Sequence, residues 1–277
     1  MQKHKNIGRR VIVIVQIVTG ILFLFPLIWM IVASLKPESA IFSELCYLKG
    51  FSFANFTLSN YVEMFRRMPI LQYLLNSVLY IVIIVLVGLV VNSMAGYALA
   101  KIKFPGRNII MSLIIAFYIV PFESVLLPEY LINSHLHMLN SYASLAVPFI
   151  ADCFSIFLFR QFFLDIPDAL IEAAHIDGAS TSKIFTSIVV PNSKPVYATA
   201  AVLVIVGHWG DFLWPLMAVT NQNLWTVQMG IAAFFTDPPI KYGPIMAALT
   251  ISSIPMIVVF MLLQKYYVQG ITSSGIK

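Results

Sequence analysis

Six polar or aromatic side chains lie inside long apolar stretches of the sequence, where they could take part in chemistry. A charged group in hydrocarbon is energetically costly, so such residues normally face a bonding partner, a water-filled cavity or a solute. Carboxylates and aromatic rings suit hydroxyl-rich solutes, which they bind by hydrogen bonds and ring stacking. Bonds between helices are the alternative interpretation, and the sequence leaves both open for Asn92, Glu123, Asp152, His208, Trp209 and Asp211.

The polar segment 165–194 shows a different pattern, that of two short helices joined by a turn. Pro167 and Asp168 suit a first helical turn, because proline lacks a donor that would be unpaired there and an acid favours the positive end of the helix dipole. This helix is predicted to end near Ile176, since Gly178 can take the left-handed cap conformation without a steric penalty.

A second helix of this segment is predicted after Ser180 or Thr181, either of which can cap it. Its apolar residues recur at helical spacing and predict one buried face, formed by Ile184, Phe185, Ile188 and Val189. The first helix is expected to offer another protein a charge and a small-residue surface, formed by Glu172, Ala173 and Ala174.

The elements that must position these residues are predicted to be membrane-spanning helices. Of the 277 residues 60% are hydrophobic and only 10% charged, whereas soluble domains carry about 25% charged residues. A helix needs about 20 apolar residues to cross the hydrocarbon and satisfies its own backbone there. Six stretches qualify, at about 11–35, 75–100, 108–132, 142–163, 195–219 and 243–264.

The predicted fold class is therefore an all-α integral membrane protein, with segment 165–194 between the fourth and fifth spans. Pro121 and Pro128 predict a kink in the third span. If the N-terminus is inside, 12 of the 17 Lys and Arg residues fall in inner segments and 5 in outer ones. The positive-inside rule then predicts cytoplasmic termini, a cytoplasmic segment 165–194 and a location in a cell membrane.

Other segments carry weaker predictions. The first stretch is longer than the apolar core of a signal peptide and is expected to remain as an anchor. The outer segments 36–70 and 220–242 are rich in aromatic residues, Phe234 and Phe235 among them, which predicts anchors at the membrane interface or contacts with a ligand-delivering partner. Cys46 and Cys153 show neither disulfide nor metal spacing.

Several function classes are disfavoured by the sequence. The net charge of +5 does not indicate nucleic-acid binding, because the basic residues form no continuous stripe. No phosphate loop of the form G-x-x-x-x-G-K-[ST] occurs, so the chain is not expected to hydrolyse ATP by the usual machinery. No cofactor bound by this chain is expected. A membrane enzyme is remote for lack of an H-E-x-x-H or G-x-S-x-G motif, and an ion-coupled carrier would leave segment 165–194 unexplained.

Segment 165–194 resembles the EAA loop of binding-protein-dependent ABC importer permeases. The resemblance rests on Glu172-Ala173-Ala174, Gly178, Ile188 and Pro191 at the family's spacing, with Val190 in place of the usual leucine. The stretches DIPDALIEAAHIDGAS, GDFLWPL and QKYYVQGITSSGIK are similar to the carbohydrate-importer branch, in particular to a maltose-transporter-like second permease. Gly210 stands where that branch often has asparagine, so no role is carried over to that position.

The resemblance implies a type I importer permease that works with partners. These are a second homologous permease, two cytoplasmic ATPase subunits that hold ATP and Mg, an extracytoplasmic solute-binding protein and the lipid bilayer. It implies contacts with the ATPase at the tail from about Gln269 and, in the loop, at Glu172, Ala173, Ala174, Asp177, Gly178, Ile188 and Pro191. The expected cargo is a sugar or oligosaccharide; a glycerol-phosphate-type solute is the alternative, and an ion-coupled carrier a remote one.

Overall fold

The computed structural model describes residues 2–44 and 55–274, and this part of the chain is helical, without strands. Cys46 lies outside the described residues. In chain order the α-helices are α1 (Gln2–Ser34), α2 (Glu38–Glu44), α3 (Ser59–Arg67), α4 (Ile70–Lys101), α5 (Arg107–Tyr118), α6 (Phe122–His135), α7 (Tyr142–Ala146), α8 (Cys153–Leu164), α9 (Asp168–Ile176), α10 (Thr181–Ile184), α11 (Val190–Asn192), α12 (Lys194–Trp209), α13 (Leu213–Ala218), α14 (Val227–Ala233) and α15 (Tyr242–Ser274).

The chain forms two compact units. Unit 1 consists of Met1–Ile70 and Gly230–Ile254, and unit 2 consists of Leu71–Met229 and Pro255–Lys277. Within the described residues, helices α1, α4 and α15 are each long and apolar enough to cross a membrane. Three further pairs of helices qualify only if each bent pair counts as one span, so there are three to six candidate spans. The exact number of six stays a prediction.

The predicted third and fourth spans are bent helix pairs. Helices α5 and α6 meet at 103° at the break before Phe122, because Pro121 has no amide hydrogen with which to continue α5. The kink predicted near this proline is therefore confirmed, and it is a complete break. In the fourth stretch, α7 and a 3₁₀ turn at Val147–Phe149 meet α8 at 43°.

The predicted continuous helix over 195–219 is wrong in its second half. Helix α12 ends at Trp209, and the short helix α13 begins only at Leu213. Part of the stretch packs inside unit 2: Trp214 is fully buried, and its Nε1 donates to the Ser144 carbonyl at 2.9 Å, whereas Leu213 and Leu216 are exposed. Hydropathy reflects composition alone, so the sequence pattern could not distinguish this broken, partly buried stretch from a continued span.

Unit 1 holds its polar segments together with ion pairs. Arg67 donates to the Asp237 carboxylate at 2.9 Å and to the Asp237 and Pro239 carbonyls, and its guanidinium lies 4.9 Å from the centre of the Phe234 ring. Lys241 Nζ donates to Glu63 at 2.9 Å. We call Glu63, Arg67, Asp237 and Lys241 the ion-pair cluster. Phe234 is buried, so its predicted role as an interfacial anchor is wrong, because it lies beneath Arg67.

The start of α15 is fixed by residues far away in the sequence. The Glu38 carboxylate accepts hydrogen bonds from the Tyr242 and Gly243 amides, both at 2.8 Å. This caps the first turn, whose amides have no partner within the helix. Asn60 Nδ2 donates to the Ser34 and Lys36 carbonyls at 2.9 and 2.7 Å, and its side chain lies against Gly243.

Unit 2 is organised around α4. A side chain at Gly96 would place its Cβ 2.6 Å from Phe159 Cβ, so glycine permits α4 and α8 to cross closely. A core cluster of unit 2 lies at this end of α4, around Tyr97, Phe159 and Phe163. Segment 165–194 packs against the same cluster.

Candidate functional site

The first helix of loop 165–194 forms as its sequence predicts. Helix α9 begins at Asp168, directly after Pro167, and ends at Ile176. Gly178 then has a φ of +80°, a left-handed conformation that carries a steric cost in residues with a Cβ. The chain is thus turned by its own local sequence.

The second part of the loop is also close to prediction. Ser180 Oγ accepts from the Lys183 amide at 3.3 Å, so Ser180 is the cap and Thr181 the first helical residue. Helix α10 continues through a π-helical turn, Phe185–Val189, into α11. The predicted apolar face is confirmed: Ile184 and Val189 are fully buried, and Phe185 and Ile188 pack against the same cluster.

One face of α9 is buried in unit 2. Ile171 and Ala174, three residues apart, belong to the core cluster that contains Tyr97 and Ala100 of α4 and Phe159 of α8. Residues at this spacing share one helix face. The expected exposed surface of two alanines is therefore wrong for Ala174, which is only 9% exposed.

The opposite face of α9 is open. Glu172, Ala173 and His175 are exposed, and two apolar side chains accompany them: Leu170 is 44% and Ile176 86% exposed. Leu170, Ala173 and Ile176 recur every third residue and form a stripe, which we call the open stripe. The sequence reasoning missed Leu170 and Ile176. The available signal was that Leu170, Ala173 and Ile176 form a second apolar repeat, one residue before the buried repeat that contains Ile171 and Ala174.

The remaining loop residues implied by the resemblance lie beyond α9. Asp177, Gly178 and Pro191 are exposed, whereas Ile188 is half-buried. The structure thus places Glu172, Ala173, Asp177, Gly178 and Pro191 on the surface, and it places Ala174 and Ile188 against the core. These positions describe a helix seated on the bundle with one side accessible to a partner.

A lysine that sequence reasoning did not single out binds the start of α9. Lys101 Nζ, at the end of α4, donates to the Ile166 carbonyl and to Asp168 Oδ1, each at 2.6 Å. The hydrogen bond and the positive charge of Lys101 hold the pKa of the Asp168 carboxyl below its usual value. We call Lys101, Ile166 and Asp168 the lysine joint.

Two of the polar residues in apolar stretches bond between helices. Asn92 Nδ2 donates to the Ile150 carbonyl, and Asn92 Oδ1 accepts from the Asp152 amide, both at 3.0 Å. The Asp152 carboxylate caps α8 by accepting from the Ser155 amide at 2.8 Å. Asn92 and Asp152 therefore come together at the break between α7 and α8, where the chain's free backbone groups need partners.

Three others lie where α12 ends. The Tyr80 hydroxyl donates to the His208 carbonyl, and the His208 ring lies 4.6 Å from the Phe149 ring. Trp209 is buried and borders an apolar cavity of about 160 Å³, whose lining also includes Val82, Ile205 and Pro255. Asp211 is half-buried in the break before α13.

Glu123 stands apart from these interactions, because it is exposed in the first turn of α6. The apolar lining beside Trp209 offers no hydrogen bond to a hydroxyl-rich solute. A role in a solute path remains a prediction for all six residues. Among the described residues, no group of three His, Cys, Asp or Glu side chains is placed to hold a metal ion.

Comparison with known proteins agrees with this architecture. Residues 92–273 match the family described as the binding-protein-dependent transport system inner membrane component. The "Arabinooligosaccharides transport system permease protein AraQ" of Halalkalibacterium halodurans is 32% identical over 91% of this chain and 91% of its own. The "sn-glycerol-3-phosphate transport system permease protein UgpE" of Salmonella typhi is 32% identical over 94% of each chain.

A solved structure has the same fold. It is the crystal structure of a bacterial ABC transporter involved in the import of the acidic polysaccharide alginate, one chain of which is 21% identical. The TM-score is 0.80, and the match covers 95% of this chain and 97% of that chain. This chain is a helical membrane component of a transport system. It belongs to the family of binding-protein-dependent transport system inner membrane components.

Proposed function

We propose that the chain is a permease subunit of an ATP-driven, binding-protein-dependent importer of a sugar or oligosaccharide. It would form half of the translocation pore with a second, homologous permease. The main support for this proposal is that α9 has one buried and one exposed face. Its Ile171 and Ala174 are buried in unit 2, while its open stripe and Glu172 are accessible. An exposed apolar stripe beside a charge is typical of a protein-binding surface.

Loop 165–194 is the proposed contact with a cytoplasmic ATPase. The open stripe would enter a groove of the ATPase, and Glu172 would fix its position with an oppositely charged group. ATP and Mg would be held by the ATPase subunits. Closure of the two ATPases would move α9, and its buried face would pass that movement into unit 2 and change the side to which the pore opens.

The proposed orientation follows from charge. With the loop and both termini in the cytoplasm, 12 of 17 basic residues lie on the inner side, as the positive-inside rule requires. The solute would then arrive on the opposite side, from an extracytoplasmic binding protein. Labelling of single cysteines at Ala173 and Asn223 by an impermeant reagent in intact cells tests this, since only Asn223 should react.

Two classes of solute, a sugar and a glycerol-phosphate-type solute, are candidates for the cargo. Arabino-oligosaccharides are named for two relatives, whereas another transports sn-glycerol-3-phosphate by its name. A phosphorylated solute favours basic groups along its path, and the predicted spans 195–219 and 243–264 contain no Lys or Arg. A neutral sugar is therefore the first candidate. Calorimetry of the co-purified binding protein with an arabino-oligosaccharide and with sn-glycerol-3-phosphate distinguishes them.

The coupling role is tested in the assembled transporter, reconstituted with its ATPase and binding protein. Glu172→Lys should reduce solute transport at least about tenfold while the permease remains inserted, because it reverses the charge beside the open stripe. Asp165→Lys, which reverses a second exposed acid of the same loop, is the matched control and should transport within about twofold of wild type. Wild-type transport by Glu172→Lys would show that α9 is not the coupling element.

A further inference from the structure

The lysine joint connects α9 to a helix that is not its neighbour in sequence. The Lys101 side chain is only 6% exposed although that of Asp168 is 77% exposed. A buried ammonium without partners is strongly destabilising, so Lys101 keeps both of its acceptors, one on each side of Pro167. The entry to α9 is consequently attached to the last residue of α4.

Apolar packing supports the same connection. Tyr97 and Ala100 on the last turns of α4 belong to the cluster that buries Ile171 and Ala174 of α9. Arg160 of α8 donates through Nε to the Leu99 carbonyl at 3.2 Å, which holds the α4 terminus from another side. A displacement of α9 is therefore opposed by both charge and packing at this end of α4.

Helix α4 differs from the two helices that border the loop. It runs unbroken for 32 residues, about 48 Å at 1.5 Å per residue. Helix α8 begins only at Cys153 after a 43° bend, and α12 lies at 78° to the preceding helical segment and ends at Trp209. A bend can absorb a movement, whereas a continuous helix carries it from one end to the other as a rigid element.

The opposite end of α4 is attached to segment 223–227. Asn76 Nδ2 donates to the Asn223 and Trp225 carbonyls, both at 2.9 Å. Gln72 Nε2 donates to the same Asn223 carbonyl at 2.9 Å, and Ser77 Oγ accepts from the Val227 amide at 2.9 Å. Tyr142 donates to Asn76 Oδ1 at 2.7 Å. Both polar atoms of the Asn76 amide are therefore hydrogen-bonded, which fixes the orientation of the side chain that binds this segment.

We propose that α4 is the element that carries movement of α9 across the membrane, and that Lys101 is the positioning residue that engages it. In this assignment the lysine joint couples α9 to one end of α4, and Asn76 couples the other end to segment 223–227. The flanking helices α8 and α12 hold the loop in place. The inference rests on the proposed function, because it requires that α9 is moved by a partner ATPase.

The first experiment measures ATP hydrolysed per solute molecule transported, in the reconstituted transporter. Lys101→Met should raise this ratio at least about fivefold, and Lys101→Arg, which keeps a donor and the charge, should restore it to within about twofold. Lys103→Met removes the same charge from an exposed side chain two residues further on and should leave the ratio unchanged. A wild-type ratio in an assembled Lys101→Met transporter would overturn the proposal.

A second variant guards against misfolding of Lys101→Met. Asp168 is exposed, so Asp168→Asn should fold normally and raise the ratio about two- to threefold. Asp165→Asn is its matched control and should not change it. If Glu172→Lys uncouples transport while both joint variants stay coupled, only this inference fails; if Glu172→Lys has no effect, the proposed function fails.

The second readout follows the far end of α4. A spin label on a cysteine introduced at Asn223, in a chain with Cys46 and Cys153 replaced by serine, should change its spectrum when ATP is added. The change should disappear in Lys101→Met although ATP hydrolysis continues. A label that still responds to ATP in this variant would show that movement reaches segment 223–227 by another route.

Discussion

Loop 165–194 of unit 2 and the polar segments of unit 1 are stabilised in contrasting ways. The loop is shaped by neighbouring residues, namely Pro167, Gly178 and Ser180, and one of its sides is seated on unit 2 by apolar contacts and by the lysine joint. In unit 1, the ion-pair cluster and the Glu38 cap join residues about 170 to 205 positions apart. Glu38 and the charged groups of the ion-pair cluster are thus already paired within the chain.

The exposed face of α9 is consequently free to bind a partner, whereas the polar surface of unit 1 is occupied by contacts within the chain. A protein binding to the open stripe of α9 displaces no hydrogen bond of the stripe side chains. A protein binding to Arg67 or Glu38 would have to replace strong internal bonds, and charge-assisted hydrogen bonds are about twice as strong as neutral ones. Mutations should therefore affect stability in unit 1 and coupling in the loop.

The largest effect is expected from Gly243→Val in unit 1. A Cβ there would lie 2.7 Å from Asn60 Nδ2, and Asn60 cannot move without losing its bonds to the Ser34 and Lys36 carbonyls. We expect the free energy of unfolding in detergent to fall by about 3 kcal/mol, from overpacking and lost buried hydrogen bonds. Gly207→Val, whose Cβ meets no atom within 4 Å, is the control, and equal losses would contradict this account.

A smaller loss is expected when Arg67 is truncated. Arg67→Ala removes one carboxylate contact, two carbonyl contacts and the contact with Phe234, and should lower the free energy of unfolding by about 2–3 kcal/mol. Arg66→Ala deletes the same side chain from the exposed neighbouring position and should stay within about 0.5 kcal/mol of wild type. Thermal unfolding of the two purified variants measures the difference, and similar transitions would mean that the ion-pair cluster contributes nothing.

In the loop, Gly178→Ala should cost less than either change in unit 1. The added Cβ has open space around it, so the cost is only the left-handed conformation, about 1–2 kcal/mol. Hydrogen exchange should accelerate at the α9 amides, while exchange at the start of α15 stays unchanged. Faster exchange at both places would show that the loop and unit 1 do not respond independently.

The smallest effect concerns pH at the lysine joint. Lys101 lowers the pKa of Asp168 below its usual 3.8. This contact therefore contributes its full stability at pH values above the pKa of Asp168 in the unfolded chain. That stability is lost as the pH falls through the lower pKa of the folded state. A fluorophore on a cysteine at Ser182, an exposed residue of α10, should therefore report no change from pH 8 to pH 5. An acid-induced change should appear only below about pH 4 and be absent in Asp168→Asn; a transition near pH 6 would contradict the assignment.

The sequence predicted those features whose causes are local. Helix α9, the Gly178 turn and the Ser180 cap each depend on residues within a few positions, so their patterns are visible in the chain itself. The break at Gly210–Phe212 was not visible, because apolar character persists through α13 and hydropathy measures composition without direction. The buried position of Ala174 became clear only once Ile171 and the α4 cluster fixed which face of α9 is inward.

Contacts between residues far apart in the chain were the other features that the sequence did not predict. Nothing adjacent to Arg67 indicates Asp237, and nothing near Lys101 indicates Ile166 as an acceptor. Asn92 and Asp152 were recognised as unusual polar residues, but the break between α7 and α8 that they satisfy was not foreseen. A polar residue in an apolar stretch can therefore indicate an interrupted helix, as Asn92 and Asp152 do, and not only a solute path.

The Glu38 cap on α15 also sets an order for biosynthesis. Gly243 is made 205 residues after Glu38, which at 5–20 residues per second is a delay of about 10–40 s on the ribosome. During that interval α1 can rest in lipid, since its backbone is satisfied within the helix, but unit 1 cannot close. A chain interrupted before residue 242 would leave the Glu38 carboxylate without the Tyr242 and Gly243 amides, whereas Asn60 would keep its bonds to the Ser34 and Lys36 carbonyls.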